Sequence, residues 1–114
     1  MLKKRWREAK RAFYEHRRTM LWRTRVTPFY GAGRWWAIPW EFVSCESGGD
    51  YYPDFGFAYG GAYGLIPPTW LAYGGGSFAS QANDASEHQQ DLIAHKVWLD
   101  VGEAAWRPFE GGCS

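Results

Sequence analysis

The stretch CESGGDY, residues 45 to 51, is the most informative part of this sequence, because it joins the end of a predicted helix to an acidic loop. Pro39 stands before an apolar run and favours a helix start, while Gly48 and Gly49 favour a helix end. The pattern predicts a helix over about residues 39 to 47. Glu46 then lies in its last turn, beside Cys45, which we expect to be buried.

The position of Glu46 suggests a specific chemistry. The negative end of a helix dipole disfavours a carboxylate, and burial does the same, so both effects raise the pKa of a carboxyl there. A carboxyl that stays protonated near neutral pH can act as a general acid. The alternative is a solvated carboxylate at the end of a short helix, and the pattern alone leaves both open.

The downstream sequence predicts a mostly helical α+β domain. Residues 51 to 63 combine glycine, proline and aromatics and predict an irregular loop or a short hairpin. Residues 67 to 71 predict a brief helix that begins at two prolines and is stopped by a glycine run. Ser86 and Gln89 form a capping box before the longest helix, which runs to Gly102. Alternation of period two is nowhere sustained, so any sheet is small.

Composition limits the class of protein. A chain of 114 residues suits a single core and excludes a multidomain enzyme. Hydrophobic residues make up 46% and charged residues 22%, which excludes a disordered tail. The 8 Trp, 7 Tyr and 7 Phe exceed what a small core readily hides, so some rings are expected to line a groove. No apolar run approaches the roughly 18 residues of a membrane span.

Charge divides the chain in two. Residues 1–34 hold eleven of the thirteen Lys and Arg and two Glu, a net charge of +9, whereas residues 35–114 carry a net charge of −8. The Pro28 to Gly33 stretch is expected to form the loop at the boundary. We therefore expect a basic arm and linker over residues 1–34 and the domain proper over 35–114.

The arm predicts an amphipathic helix, because its apolar residues recur at helical spacing: Leu2, Trp6, Ala9, Phe13 and Met20. Arginines interrupt every apolar run, which excludes a secretory signal peptide. The helix either packs its stripe on the domain or binds an anionic wall polymer or membrane through residues 1–27. No nucleic-acid reading motif is present, so a specific nucleic-acid partner is not expected.

The two cysteines, Cys45 and Cys113, lie at opposite ends of the acidic region. They are either two free thiols or a disulfide that fastens the C-terminal tail, and a disulfide implies an oxidising compartment. The three histidines and two cysteines lack metal-binding spacing. Neither a metal nor another cofactor is expected.

Several strings in fixed order resemble the catalytic domain of resuscitation-promoting factors and related transglycosylase-like proteins. They are CESGGDY at 45–51, GGAY at 60–63, IPPTW at 66–70, AYGG at 72–75, AS at 85–86, QQD at 89–91, IA at 93–94, AW at 105–106 and Cys113. The likeness covers roughly residues 35 to 114. The basic arm has no counterpart in it.

The resemblance implies a compact lysozyme-like fold that cleaves peptidoglycan glycan strands between N-acetylmuramic acid and N-acetylglucosamine. It matches Glu46 to the catalytic acid, Cys45 and Cys113 to a disulfide, and Thr69 to a residue beside the active site. Further candidates for contact with the saccharide are Asp50, Asp54, Tyr63, Trp70 and Tyr73. The domain is expected to act as a monomer outside the cell or in the cell wall, or as a bacteriophage lysis or virion component.

Two features of the chemistry stay open. Asp50 or Asp54 could be a second carboxylate for hydrolysis or a loop Asx turn, and without one the muramyl 6-hydroxyl attacks, as in a lytic transglycosylase. Gly64 stands where the family usually carries Gln, which removes a possible hydrogen bond to substrate or lets the backbone approach the sugar. The alternative function is a peptidoglycan-binding module of the same fold without turnover.

Overall fold

The computed structural model describes residues 25–54 and 59–106. Arg25 and Val26 are helical, and a two-stranded antiparallel hairpin of β1, Phe29–Gly31, and β2, Arg34–Trp36, follows them. The expectation that the Pro28 to Gly33 stretch forms only a loop is wrong, because β1 lies within it. Strands of three residues are too short to produce an alternation that a sequence pattern can detect. The division into arm and domain at residue 34 stays a prediction.

The first complete helix, α1, spans Trp40–Glu46 and follows Pro39, within a residue of the predicted bounds. Phe42 and Val43 turn into the core, and the amide of Gly48 closes the helix by donating to carbonyl oxygens of its last turn. Cys45 is exposed, so the expectation that it is buried is wrong. The residues of α1 that enter the core are two and three positions before Cys45, so Cys45 lies on another face of the helix.

The remaining helices follow the predicted order. Among the described residues of the 51–63 segment there is no strand, and a single 3-10 turn spans Gly61–Tyr63. Helix α2 spans Pro67–Ala72, and the glycines after it form a second 3-10 turn at Gly75–Ser77. A third turn at Ala82–Asp84 leads to α3, Glu87–Val101, and a last one follows at Gly102–Ala105.

Both hydrogen bonds of the predicted capping box are present at the start of α3. Ser86 Oγ accepts from the amide of Gln89, and Gln89 Oε1 accepts from the amide of Ser86. This satisfies two of the orphan donors of the first turn. The capping prediction is therefore confirmed.

The core is aromatic and lies between the hairpin, α1, α2 and α3. Its largest fully buried side chains are Trp36, Trp70 and Tyr63. Two polar residues of α3, Gln90 and Asp91, are buried with them. The mostly helical α+β class with a small sheet is confirmed, whereas the predicted arm helix falls largely on residues 1–24, outside the described part of the chain.

Of the helices within residues 25–54 and 59–106, none has the length and apolar character that crossing a membrane requires.

Candidate active site around Glu46

Glu46 is the last residue of α1 and is half-buried. Burial raises the pKa of its carboxyl above the ordinary range. The sequence predicted this direction from burial and from the helix end, and burial is the cause that the structure supports. Since Cys45 is exposed, the cover over the carboxyl comes from elsewhere in the chain.

Gly64 lies directly against the Glu46 carboxyl. A Cβ atom built on Gly64 would be 2.0 Å from Glu46 Oε2 and 2.6 Å from its Cδ. Gly64 also has a left-handed backbone, with φ of 67° and ψ of 30°, which glycine adopts without strain. A side chain at this position would therefore displace the carboxyl.

Ser47 ties the end of α1 to the turn that carries Gly64. Its Oγ donates to the carbonyl oxygen of Ala62 at 2.7 Å and accepts from the amide of Gly49 at 3.1 Å. The structure shows that Ser47 connects the turn before Gly64 to the loop after Glu46.

Gln90 holds the same turn from the side of α3. Its Oε1 accepts from the amide of Ala62 at 2.9 Å, while Nε2 donates to the carbonyl oxygens of Tyr51 at 3.0 Å and Ala85 at 3.2 Å. Gln90 is 0% exposed, so these bonds satisfy a fully buried amide. One side chain thereby links both loops that flank Glu46.

Asp91 is the centre of a buried network. Its Oδ1 accepts from the hydroxyls of Tyr51 and Tyr63, each at 2.5 Å, and the Tyr63 hydroxyl accepts from the amide of Ala37 at 3.0 Å. Burial raises the pKa of Asp91 to about 6, against the opposing effect of the two hydroxyl donors. Burial likewise raises the pKa of Tyr63, so both tyrosines are donors at neutral pH.

Arg34 covers this network from the hairpin. Its guanidinium carbon lies 5.0 Å from the ring centroid of Trp36 and 4.9 Å from that of Tyr51. Arg34 Nη2 also pairs with Glu87 Oε1 at 2.6 Å. Both partners are about half exposed, so we attach little stability to the ion pair itself.

Two predicted saccharide contacts are core residues. Tyr63 and Trp70 are both 0% exposed, so neither ring offers a face on which a sugar could stack. Trp70 Nε1 donates to the carbonyl oxygen of Ala79 at 2.8 Å and fixes the turn after α2. For these two rings the expectation of a sugar contact is corrected, because close packing leaves no room for a ligand.

The other two candidates on α2 and its end are accessible. Thr69 and Tyr73 are half-buried, and the Tyr73 hydroxyl donates to Asp100 Oδ2 at 2.5 Å. Their contact with a saccharide stays a prediction.

The acidic candidates lie in the exposed loop after α1. Asp50 Oδ1 accepts from the amide of Tyr52 at 2.8 Å, which is the Asx turn that the sequence left as an alternative. Asp54 is exposed.

Within the described residues no group of three His, Cys, Asp or Glu side chains is placed to hold a metal ion. The described part of the chain contains no free cysteine, and Cys113 lies outside it.

Sequence reasoning gave no role to Gln90 and Asp91, although a signal for one of them was present. Gln90 lies in helical register with Ile93, Ala94 and Val97, which are all buried. A polar residue in an apolar stripe is buried at a cost unless it finds partners. The partners themselves come from residues about 30 to 40 positions earlier, and no local pattern identifies them.

Comparisons with known proteins bear on the identity of this site. The family model of the transglycosylase-like domain matches residues 32–108. Resuscitation-promoting factor Rpf2 of Corynebacterium glutamicum is 44% identical over 66 residues, which are 58% of this chain and 18% of that protein. Resuscitation-promoting factor RpfA of Mycobacterium tuberculosis is 40% identical over 68 residues, 59% of this chain and 17% of the relative.

A third relative, resuscitation-promoting factor RpfE of Mycobacterium tuberculosis, is 32% identical over 72 residues, 62% of this chain and 40% of its own length. The chain thus spans less than half the length of each of these three relatives. No solved structure matches it significantly. The family resemblance stated from the sequence is confirmed, and because the family model covers more than half of the chain, including Glu46 and Gly64, the chain belongs to the transglycosylase-like domain family.

Proposed function

We propose that this domain cleaves the glycan strand of peptidoglycan between N-acetylmuramic acid and N-acetylglucosamine, with Glu46 as general acid and then base. The observation that carries the proposal is the half-buried Glu46 carboxyl, which lies against the backbone of Gly64 and whose pKa is raised by burial. Membership of the transglycosylase-like family supports the same reaction class. The site of action is accordingly the cell wall.

In the proposed reaction, the protonated Glu46 carboxyl donates its proton to the glycosidic oxygen. The bond to the leaving sugar breaks while the remaining ring gains oxocarbenium character. The Glu46 carboxylate then accepts a proton from the attacking group. Activity should therefore decline as pH rises through the raised pKa of Glu46 and the acid loses its proton.

The attacking group is either water or the 6-hydroxyl of the muramic acid. Hydrolysis with a second carboxylate would use Asp50 or Asp54. Asp50 is engaged by the amide of Tyr52 in its own loop, which favours the intramolecular route and a 1,6-anhydro product. Lytic transglycosylation is therefore the outcome that we propose.

The test is digestion of purified sacculi with the full chain and with Glu46→Gln. The substitution keeps the shape of the side chain and removes the acid, so release of soluble muropeptides should fall by about 100-fold or more. Glu41→Gln is the matched control, because it makes the same Glu-to-Gln substitution on the same helix at an exposed position. Mass spectrometry distinguishes the two routes, since 1,6-anhydro ends and reducing ends differ by one water.

Unchanged release by Glu46→Gln would contradict the role of Glu46. If the wild-type chain binds sacculi in a pull-down assay and releases no soluble fragment, the alternative of a non-catalytic peptidoglycan-binding module is correct instead.

Two further parts of the proposal concern residues outside the described ranges. Cys45 is not a free cysteine and Cys113 is the only other cysteine in the sequence, which supports a disulfide between them. The mass of the chain is expected to stay unchanged after alkylation without reductant.

The net charge of +9 over residues 1–34 supports binding of the arm to anionic wall polymers or membrane. Delivery as a bacteriophage component remains one route to the wall.

A further inference from the structure

The turn that carries Gly64 is held at Tyr63 from three directions. The Tyr63 hydroxyl donates to Asp91 and accepts from the amide of Ala37, and its carbonyl oxygen accepts from Trp106 Nε1 at 2.9 Å. The ring of Tyr63 packs edge-on against Trp36. The residue immediately before Gly64 is therefore fastened to the hairpin region, to α3 and to the last 3-10 turn.

Core packing alone does not explain why the hydrogen-bonded network of Tyr51, Tyr63 and Asp91 is polar. An apolar side chain could fill the same volume, whereas a buried carboxylate has a desolvation cost that its hydrogen bonds only partly offset. Asp91 is 8% exposed and is contacted by two hydroxyl donors that converge on one oxygen. Hydrogen bonds differ from apolar contacts in being directional, so they define one position of the turn rather than a range of positions.

The position of this turn matters because the Glu46 carboxyl has little room. With Gly64 in place, the backbone lies close enough to the carboxyl that a single added methyl group would overlap Oε2. A small outward movement of Gly64 would open the carboxyl to water, and a small inward movement would push it away. The place of Tyr63 thus determines both the position of Glu46 and its exposure.

We propose that Tyr63 and Asp91 are positioning residues for Glu46: their buried hydrogen bond fixes the Gly61–Tyr63 turn so that the Gly64 backbone covers and places the carboxyl. This inference rests on the proposed function for its catalytic consequence, but its structural part concerns only the environment of Glu46. Neither residue touches the substrate, since both are buried.

The test is Tyr63→Phe in the full chain, which removes the hydroxyl and keeps the ring. The first measurement is the pKa of the Glu46 carboxyl by carbon-detected NMR titration, and we expect a lower value than in wild type because water reaches the carboxyl. The second is kcat and KM on soluble glycan fragments. We expect kcat to fall about tenfold or more with KM nearly unchanged, because a displaced acid stabilises the transition state less while substrate binding stays intact.

Val97→Ala is the control for lost stability, because Val97 is a buried residue of α3 with an apolar side chain. It should leave the pKa of Glu46 and kcat near the wild-type values at temperatures where the variant is folded. If Tyr63→Phe has the wild-type Glu46 pKa, or if Val97→Ala changes that pKa equally, the proposal is overturned.

Failure of the proposed function gives a different result. In that case Tyr63→Phe lowers the Glu46 pKa while Glu46→Gln cleaves as well as wild type, which supports the positioning role and removes only its catalytic consequence. Should Tyr63→Phe misfold, Asp91→Asn provides the same titration with the hydroxyl acceptor weakened and the volume preserved.

Discussion

Replacement of Gly64 by alanine separates stability from activity at the candidate site. The backbone at Gly64 has a φ of 67°, and a non-glycine residue in the left-handed region costs roughly 1–2 kcal/mol. The added Cβ would also lie 2.0 Å from Glu46 Oε2. The second effect is not a large stability cost, because the carboxyl is the end of a flexible side chain and can swing away.

The displacement of the carboxyl sets the expected effect on activity. An ordinary contact between a carbon and its neighbour needs about 3.5 Å, so Oε2 must move by about 1.5 Å. A misplacement of about 1 Å in a reacting group costs on the order of 100-fold in rate. We therefore expect Gly64→Ala to lose on the order of 100-fold in muropeptide release while its free energy of unfolding falls by only roughly 1–2 kcal/mol.

Gly48→Ala is the matched control. Gly48 has nearly the same φ, 70°, and a Cβ built on it meets nothing within 4 Å. Urea denaturation should show the two variants about equally destabilised, and digestion of sacculi should show Gly48→Ala near wild-type activity. Equal activity of the two variants would refute the reasoning, because the contact between the added Cβ at position 64 and the Glu46 carboxyl would then have no effect on catalysis.

Two other predictions concern α3. Its Asp91 carboxyl has a folded pKa of about 6, above the unfolded value near 3.8, so the folded state holds the proton more tightly. The contribution of Asp91 to the free energy of unfolding should be greatest below about pH 4 and fall by up to about 3 kcal/mol as pH rises through 6, and urea titrations of Asp91→Asn should lack this component. An equal slope in both proteins would show that the charge of Asp91 is compensated. Ser86→Ala removes the helix cap and should lower the free energy of unfolding by about 1 kcal/mol, with muropeptide release unchanged; a much larger thermal destabilisation would mean that Ser86 does more than cap α3.

Local sequence signals identified the helices of this domain. Proline before α1 and in the first turn of α2, glycines after both helices, and the capping box of α3 act within a few residues, so each could be interpreted without the fold. The hairpin escaped detection because each strand has three residues and one strand lies in a proline- and glycine-containing stretch.

For the candidate site as well, some features could be predicted from the sequence and others could not. The position of Glu46 at the end of a helix could be predicted, because it depends on neighbours in the chain. The predicted direction of its pKa shift agrees with the structure, but the burial that causes it involves Gly64, 18 residues further along the chain. The expected burial of Cys45 was wrong, and so was the expected contact of the Tyr63 and Trp70 rings with a saccharide. Which face of a short element enters the core is decided by what packs on it, and composition alone does not contain that information.

The sequence by itself determined the order of the helices, the acidic residue at the end of α1 and the family to which the chain belongs, because motifs and caps are encoded in adjacent residues. Only the tertiary structure decided that Gly64 covers the Glu46 carboxyl and that Gln90 and Asp91 hold the turn before it. These contacts join residues 18 to 28 positions apart, and their formation depends on long-range packing that brings α1, the Gly61–Tyr63 turn and α3 together.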